Sequence, residues 1–140
     1  APTSTASIQR VPHTDPGKTG HCGHIALSLA DSIWTGYTHA QMQLPIGGKE
    51  VYLEIEYKNS NPLLTGVLGI SSGSTKVNPN IQLNSQDPSS WVWKKIYIDL
   101  KEIVSSSSTA AYFEQYLEAT LQSGKTSSDV YIDNIKVIHF

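Results

Sequence analysis

Hydrophobic and polar residues alternate with a period of two along much of the chain. The clearest stretch is residues 50–58, in which Val51, Leu53, Ile55 and Tyr57 share one face and polar side chains share the other. Successive side chains of a β-strand point to opposite faces, so this pattern indicates a strand. One packed face and one solvated face are typical of an antiparallel sheet.

Shorter stretches of the same pattern predict further strands. In chain order these cover residues 8–11, 24–30, 40–46, 63–70, 77–83, 91–100, 112–121 and 129–140. Residues 112–121 also have helical spacing, but we favour a strand because a turn-forming loop follows at 123–126. Residues 13–23 and 31–39 are predicted as irregular loops.

The recurrence of short strands, with only one helical turn expected at residues 101–104, predicts an all-β fold. We expect a sandwich of two antiparallel sheets. We expect the sandwich to form a single domain over residues 8–140, with residues 1–7 as a flexible tether.

The last stretch, residues 129–140, is the densest β-forming run in the chain. It contains one acidic residue, Asp133, on the same side of the predicted strand as Tyr131, Ile135 and Val137. We therefore expect Asp133 to face the core, where a carboxylate must be satisfied by backbone donors or a cation. We expect this strand to pair with residues 112–121 as a hairpin.

Charge and cysteine content narrow the range of functions. The net charge is −2 and the ten basic residues are scattered, which argues against a nucleic-acid or anionic-membrane surface. The single Cys excludes an intrachain disulfide. No run reaches the ~18 apolar residues of a transmembrane helix. Because the sequence begins with Ala1 and not with Met, any export signal or lipid anchor would lie upstream of it.

Aromatic residues outside the regular apolar positions are candidates for sugar binding, because pyranose rings stack on indole and phenol rings. The candidates are Trp34, Tyr37, His39, Trp91 and Trp93. The alternative for Trp34 and Trp93 is that they fill the ends of the sandwich.

Glu54 and Glu56 share one face of a predicted strand. Glycoside hydrolysis needs two carboxylates in one cleft, yet the same alternation is typical of any solvated sheet face. We favour the second interpretation, so an enzyme is not expected.

Three runs carry a resemblance to a known family: V-Y-L-E-I-E-Y-K-N at 51–59, W-K-K-I-Y-I-D-L at 93–100 and D-V-Y-I-D-N-I-K-V at 129–137. They resemble jelly-roll domains of the galactose-binding-like and carbohydrate-binding-module kind, as in surface lipoproteins of Bacteroidetes-type bacteria. The resemblance implies a jelly-roll sandwich in an exported protein at the cell surface or in the periplasm. It also implies non-catalytic binding, with a glycan as the partner. The alternative is a structural or protein-interaction module that binds a cell-surface protein.

The resemblance further implies a structural calcium near the final strand. The matching acidic residue is Asp133, and the partner from the early loop would be Asp15. Calcium takes six to eight oxygens, many of which backbone carbonyls supply. The alternative role for Asp133 is a hydrogen-bonding anchor for the early loop, and we favour the anchor.

Overall fold

The computed structural model describes residues 6–37, 41–45, 49–71, 74–77, 81–106 and 109–139. The elements in chain order are β1 (Ile8–Pro12), β2 (His21–Ser28), β3 (Ile33–Tyr37), β4 (Val51–Asn59), β5 (Leu63–Ser71), β6 (Ser74–Val77), β7 (Ile81–Leu83), β8 (Lys94–Asp99), α1 (Lys101–Ser106), β9 (Tyr112–Thr120) and β10 (Ser127–His139).

The strands form two antiparallel sheets. The terminal sheet, which contains the first and last strands, has the order β1-β2-β10-β4-β8. The opposing sheet has the order β3-β9-β5-β6, and β7 also pairs with β5. The prediction of an all-β, two-sheet antiparallel sandwich is confirmed.

The core lies between the sheets and is built from alternate apolar positions of most of the described strands. On β4, Val51, Leu53, Ile55 and Tyr57 are all buried in it, as the period of two predicts. Gln115 on β9 also lies on this side and is 1% exposed. We call the side of each sheet that points away from the core its outer face.

A β-bulge divides the last strand, β10, into two halves that face opposite ways. The register with β4 shifts between Asp133 and Lys136, and Asn134 has a φ of 47°. Before the bulge Val130 and Ile132 are buried in the core, whereas after it Ile135 packs against the core. An extra residue in one strand reverses the alternation. The prediction that Asp133 faces the core is therefore wrong, because Asp133 lies on the outer face.

The prediction that the last two strands form a hairpin is also wrong. β10 pairs with β2 and β4, whereas β9 pairs with β3 and β5. The intervening loop crosses from one sheet to the other. The turn-forming residues of this loop are compatible both with a hairpin and with a connection between the sheets. The connection between the sheets forms because it lets both strands bury their apolar sides in the core.

Several element boundaries differ from the sequence predictions, and β2, for example, begins at His21 within the predicted loop 13–23. Residues 33–37, predicted as a loop, form β3 because they pair along β9. In the predicted strand 40–46, the described residues 41–45 make only an isolated bridge, between Met42 and Phe113. β8 begins at Lys94, so Trp91 and Trp93 precede it.

At the start of the chain, Ala6 packs against the core although it was assigned to the tether. Residues 1–5 lie outside the described part. The single described helix, α1, has six residues. Within the described ranges no helix is long and apolar enough to cross a membrane.

Candidate functional site

The early loop, residues 13–20, lies over the outer face of the terminal sheet and is tied down by charged side chains. His13 Nε2 lies 2.7 Å from Asp133 Oδ2, and Lys18 Nζ lies 3.1 Å from Glu56 Oε2. The His13 side chain is 1% exposed. Asp133 thus takes part in the anchor contact that we favoured from sequence.

Asp15 is the third tie of the early loop. Its Oδ2 accepts hydrogen bonds from Lys58 Nζ at 2.6 Å and from Trp93 Nε1 at 2.7 Å. The hydrogen bond from Lys58 is the main reason that the pKa of Asp15 is lowered. Lys58 itself is buried on the outer face, with a side chain 8% exposed. A buried ammonium requires such a partner.

Aromatic rings surround the Lys58 ammonium on its other sides. Lys58 Nζ lies 4.9 Å from the ring centroid of Trp91, 5.9 Å from that of Trp93 and 4.9 Å from that of Tyr131. These distances fall in the range of cation–π attraction. We call Lys58 and its three rings the lysine cage. The cage is occupied by the protein's own cation.

His24 extends the cage along the sheet. Its ring stacks on Tyr131 with centroids 4.3 Å apart and an interplanar angle of 7°. Its Nε2 lies 2.7 Å from Asp129 Oδ1. The His24 ring and the Asp129 carboxylate are therefore already hydrogen-bonded to each other.

Glu54 and Glu56, the two carboxylates that alternate along β4, form a network with neighbouring cations. Glu56 receives hydrogen bonds from Asn134 at 2.7 Å and Lys18 at 3.1 Å, and Lys95 lies 3.4 Å away. The bond from Asn134 contributes most to lowering the pKa of Glu56 to about 2. The pKa of Glu54 is lowered too, chiefly by the hydroxyl of Tyr97. Although the pattern suggested a solvated face, both carboxylates are buried beneath their partners.

The residues implied for calcium do not fit a shared ion. Asp133 accepts bonds from His13 and from the Asn134 backbone N–H, while Asp15 faces the Lys58 ammonium. A cation at 2.6 Å from Asp15 would repel calcium. Within the described ranges no group of three or more His, Cys, Asp or Glu side chains converges as metal ligands would.

Trp34 does not provide a stacking surface. It is 5% exposed and belongs to the core, where its ring lies against Gly36; a Cβ on that glycine would come within 2.5 Å of the indole. The prediction of an exposed Trp34 is wrong. The alternative, that Trp34 fills the interior of the sandwich, agrees with its burial. His39 lies outside the described residues.

Tyr37 occupies a different surface, the outer face of the opposing sheet. It is 46% exposed and pairs in register with Tyr116 of β9. The two ring centroids are 5.9 Å apart at 32°. Since Phe113 and Leu117 of β9 face the core, alternation places Tyr116 on the outer face.

Two glutamates of β9, Glu114 and Glu118, flank Tyr116 on the same face. Both are half-buried, and in the described chain neither carboxylate has a hydrogen bond or ion pair. Gly66 of β5 lies opposite Tyr116, and Tyr116 itself is only 9% exposed, so Tyr37 supplies the exposed ring of this surface. We call Tyr37, Tyr116, Glu114 and Glu118 the tyrosine strip.

Sequence reasoning missed three members of the tyrosine strip. The alternation in residues 112–121 did place Glu114, Tyr116 and Glu118 on one face, but it did not show which strand supplies Tyr37. That neighbour comes from β3, which the sequence pattern did not predict as a strand. Of the predicted aromatic candidates, Trp91 and Trp93 come together in the lysine cage, while Tyr37 lies on the other sheet.

No protein-family model matches the chain, and no curated protein matches it. Solved structures do share its fold. The CBM22-2 xylan-binding domain of Paenibacillus barcinonensis Xyn10C has a TM-score of 0.55 at 11% identity, over 97% of this chain and 88% of that one. A CBM4 structure has a TM-score of 0.55 at 12% identity, over 98% of this chain and 79% of that one.

A bacteriophage protein shares the fold as well. The enzymatically active domain of tailspike protein 4 of bacteriophage CBA120 has a TM-score of 0.62 at 10% identity. The match covers 99% of this chain and 18% of the tailspike chain, so this chain spans less than a fifth of that protein. At such identities these likenesses establish the fold: a jelly-roll sandwich similar to carbohydrate-binding modules, as the sequence resemblance implied.

Proposed function

We propose that this domain is a non-catalytic carbohydrate-binding module that holds a polysaccharide chain along the tyrosine strip. The observation that carries the proposal is a pair of half-buried carboxylates, Glu114 and Glu118, which lie on either side of Tyr116 and have no partner among the described residues. Nearly all the other half-buried charges described above are paired within the chain. An acceptor without an internal partner is available to a ligand hydroxyl.

The strip has the chemistry that sugar recognition requires. The half-exposed ring of Tyr37 offers an apolar face for a pyranose, and the two carboxylates accept hydrogen bonds from its hydroxyls. From Glu114 to Glu118 is four residues of strand, or about 13 Å. An extended surface of this length suits several linked sugars better than a single one.

The lysine cage is a weaker candidate for the same role. Its rings already face Lys58, and the acidic residues beside it, Asp15 and Asp129, already accept hydrogen bonds. A sugar would have to compete with these internal contacts. We therefore assign Trp91 and Trp93 to holding the early loop on the sheet.

Neither pair of carboxylates suits glycoside hydrolysis. In that reaction the acid and its partner lie about 5–9.5 Å apart, and the acid has a raised pKa. Glu54 and Glu56 instead have lowered pKa values. Glu114 and Glu118 are about 13 Å apart along the strand, too far for a joint attack on one bond. Both arrangements support the proposal of binding without catalysis.

The biological setting that we propose follows the sequence resemblance. The domain would belong to an exported bacterial lipoprotein, at the cell surface or in the periplasm, with a glycan as its partner. One structural neighbour is a xylan-binding domain, which makes xylan the first polysaccharide to test. Fractionation of cells producing the full-length protein tests the location.

Affinity gel electrophoresis in a panel of soluble polysaccharides, beginning with xylan, tests the binding. We expect retardation of the native domain, and its loss in Tyr37→Ala. The matched control is Tyr97→Ala, since Tyr97 is also exposed, at 57%, but lies on the terminal sheet. Circular dichroism checks that each variant is folded.

The same gels separate the competing hypotheses. Loss of retardation in Trp91→Ala, with Tyr37→Ala unaffected, would move the site to the lysine cage and overturn the strip. Absence of retardation on every polysaccharide would favour the alternative, a structural or protein-interaction module.

A further inference from the structure

A polar cleft of about 400 Å³ lies at one end of the sandwich, where three loops converge. The loops follow β4, β7 and β9, and the cleft extends to the first residues of β10. Its lining consists of Ser60, Ser85, Gln86, Asp87, Pro88, Gln122, Lys125, Ser127 and Ser128. None of these residues belongs to the tyrosine strip or the lysine cage.

A buried amide network fixes the loops beneath the cleft. Asn59 is fully buried, and its side chain donates to the carbonyls of Asn61 at 2.8 Å and Asn84 at 3.2 Å. Gln86 Nε2 in turn donates to Asn59 Oδ1 at 3.2 Å. The loop after β7 is thereby held against the end of β4.

Asn61, also fully buried, holds the third loop. Its side-chain N–H groups donate to the carbonyls of Pro62 and Thr120, each at 2.9 Å. Its Oδ1 accepts from the Gln122 backbone at 3.1 Å and from the Ser128 hydroxyl at 3.0 Å. Because both asparagines are satisfied, they rigidify the cleft rather than bind in it.

Several polar groups of the lining remain available above this floor. In the described chain, the hydroxyls of Ser85 and Ser127, the amide of Gln122 and the ammonium of Lys125 have no side-chain hydrogen bond or ion pair. Asp87 uses one oxygen, Oδ1, for Ser89. A rigid floor beneath exposed donors and acceptors presents preformed hydrogen-bonding positions to a ligand.

We propose that this cleft is a second binding site, which takes a neutral mono- or disaccharide such as the end of a glycan chain. The positive charge of Lys125 and the negative charge of Asp87 balance, so the lining does not select an anion. Hydroxyl and amide groups pair with sugar hydroxyls, which both donate and accept. Pro88 supplies an apolar surface for the ring. The volume is at the small end of the ~300–1,000 Å³ usual for ligand pockets.

The test is titration of the isotope-labelled domain with glucose, galactose, xylose, mannose and their β-linked disaccharides, followed by amide NMR. We expect one of these sugars to shift the amides of Ser85, Gln122 and Ser127. Ser127→Val, which projects methyl groups into the cleft, should weaken binding about tenfold or more. Ser123→Val is the matched control, because Ser123 is exposed in the same loop but does not line the cleft.

Two results would overturn this proposal: no cleft amide shifts at concentrations on the order of tens of millimolar, or equal shifts in Ser127→Val and the native domain. The proposal for the tyrosine strip is tested independently of the proposal for the cleft. In Tyr37→Ala, retention of polysaccharide should be lost while the cleft shifts persist, whereas Ser127→Val should show the reverse.

Discussion

Asp133 Oδ2 lies 2.7 Å from Nε2 of His13, 120 residues away in the chain. The bulge at Asn134 turns Asp133 to the outer face, and the early loop brings His13 to meet it. Directly across the ladder, Asp133 is paired with Glu56, and like charges so placed repel each other. His13 on one carboxylate and Lys18 on the other offset that repulsion.

We expect Asp133→Ala to destabilise the domain by about 1–3 kcal/mol, because it leaves the buried His13 ring without its partner. The Nδ1 atom of that ring has no partner in the described structure, so the substitution would leave both nitrogens unsatisfied. Urea denaturation measures the change. Cleavage by trypsin after Lys18 should also accelerate, since the early loop loses a tie.

Asp31→Ala is the matched control for this pair, because Asp31 is exposed. We expect it to move the free energy of unfolding by less than about 0.5 kcal/mol. Equal urea midpoints for the two variants would show that the contact between Asp133 and His13 contributes nothing to stability.

Stability should fall as the pH drops from 4.5 towards 2, in part because of Glu56. Its pKa is lowered from 4.5 to about 2 in the folded chain, so the folded state favours the ionised form. The resulting stabilisation is fully present above pH 4.5 and is lost as the pH falls through the folded value. With a side chain only 11% exposed, Glu56 contributes about 2–3 kcal/mol.

Glu56→Gln should flatten this part of the pH profile, measured as urea midpoints between pH 5 and pH 2. Glu50→Gln should leave the slope unchanged, because Glu50 is exposed at the start of the same region. Identical slopes in the native domain and in Glu56→Gln would contradict the assignment.

Removing Asp15 and removing Lys58 should destabilise the domain by different amounts. Asp15→Ala leaves the Lys58 ammonium buried and without an anion, which should cost about 2–3 kcal/mol even with the rings in place. Lys58→Met leaves Asp15 bonded to Trp93 and 37% exposed, which should cost only about 1 kcal/mol. Thermal or urea unfolding compares them, and the reverse order would refute the interpretation.

A calcium chelator should not change the melting temperature. Asp133 and Asp15 already receive hydrogen bonds from His13, Lys58 and Trp93, so neither needs an ion. Differential scanning calorimetry with and without chelator, and then with added calcium, checks this. A melting temperature that falls with chelator and recovers with calcium would establish the structural calcium implied by the resemblance.

Trp34→Ala should destabilise the domain by about 3–5 kcal/mol, since it removes a buried indole from the core. Trp91→Ala should cost clearly less, because Trp91 is only half-buried. Urea denaturation distinguishes them. Comparable costs would mean that the lysine cage is as important to folding as the core.

Much of the fold could be predicted from the sequence because strand periodicity is local. In β4, Val51 to Tyr57 alternate by themselves into a core face and an outer face, and the structure keeps that division. Composition and the spacing of turns were sufficient to predict two antiparallel sheets. The resemblance of three short runs was sufficient to predict the jelly roll.

The candidate site depended on relations that the sequence does not contain. Tyr37 lies beside Tyr116 only because β3 pairs with β9. The local sequence of neither strand indicates with which other strand it pairs. Asp133 lies on the outer face only because one bulge reverses the alternation of β10. The sequence pattern indicates that Glu54 and Glu56 are solvated, but in the structure Lys95 and the early loop cover them.

The sequence by itself therefore determined most of the strands and, where no bulge intervenes, which side of each is apolar, because both depend on neighbours one or two positions away. Only the tertiary structure decided which strands are adjacent, on which face Asp133 lies and which aromatic residues are exposed. These depend on packing two sheets against each other, and the contacts involved join residues as far apart as His13 and Asp133.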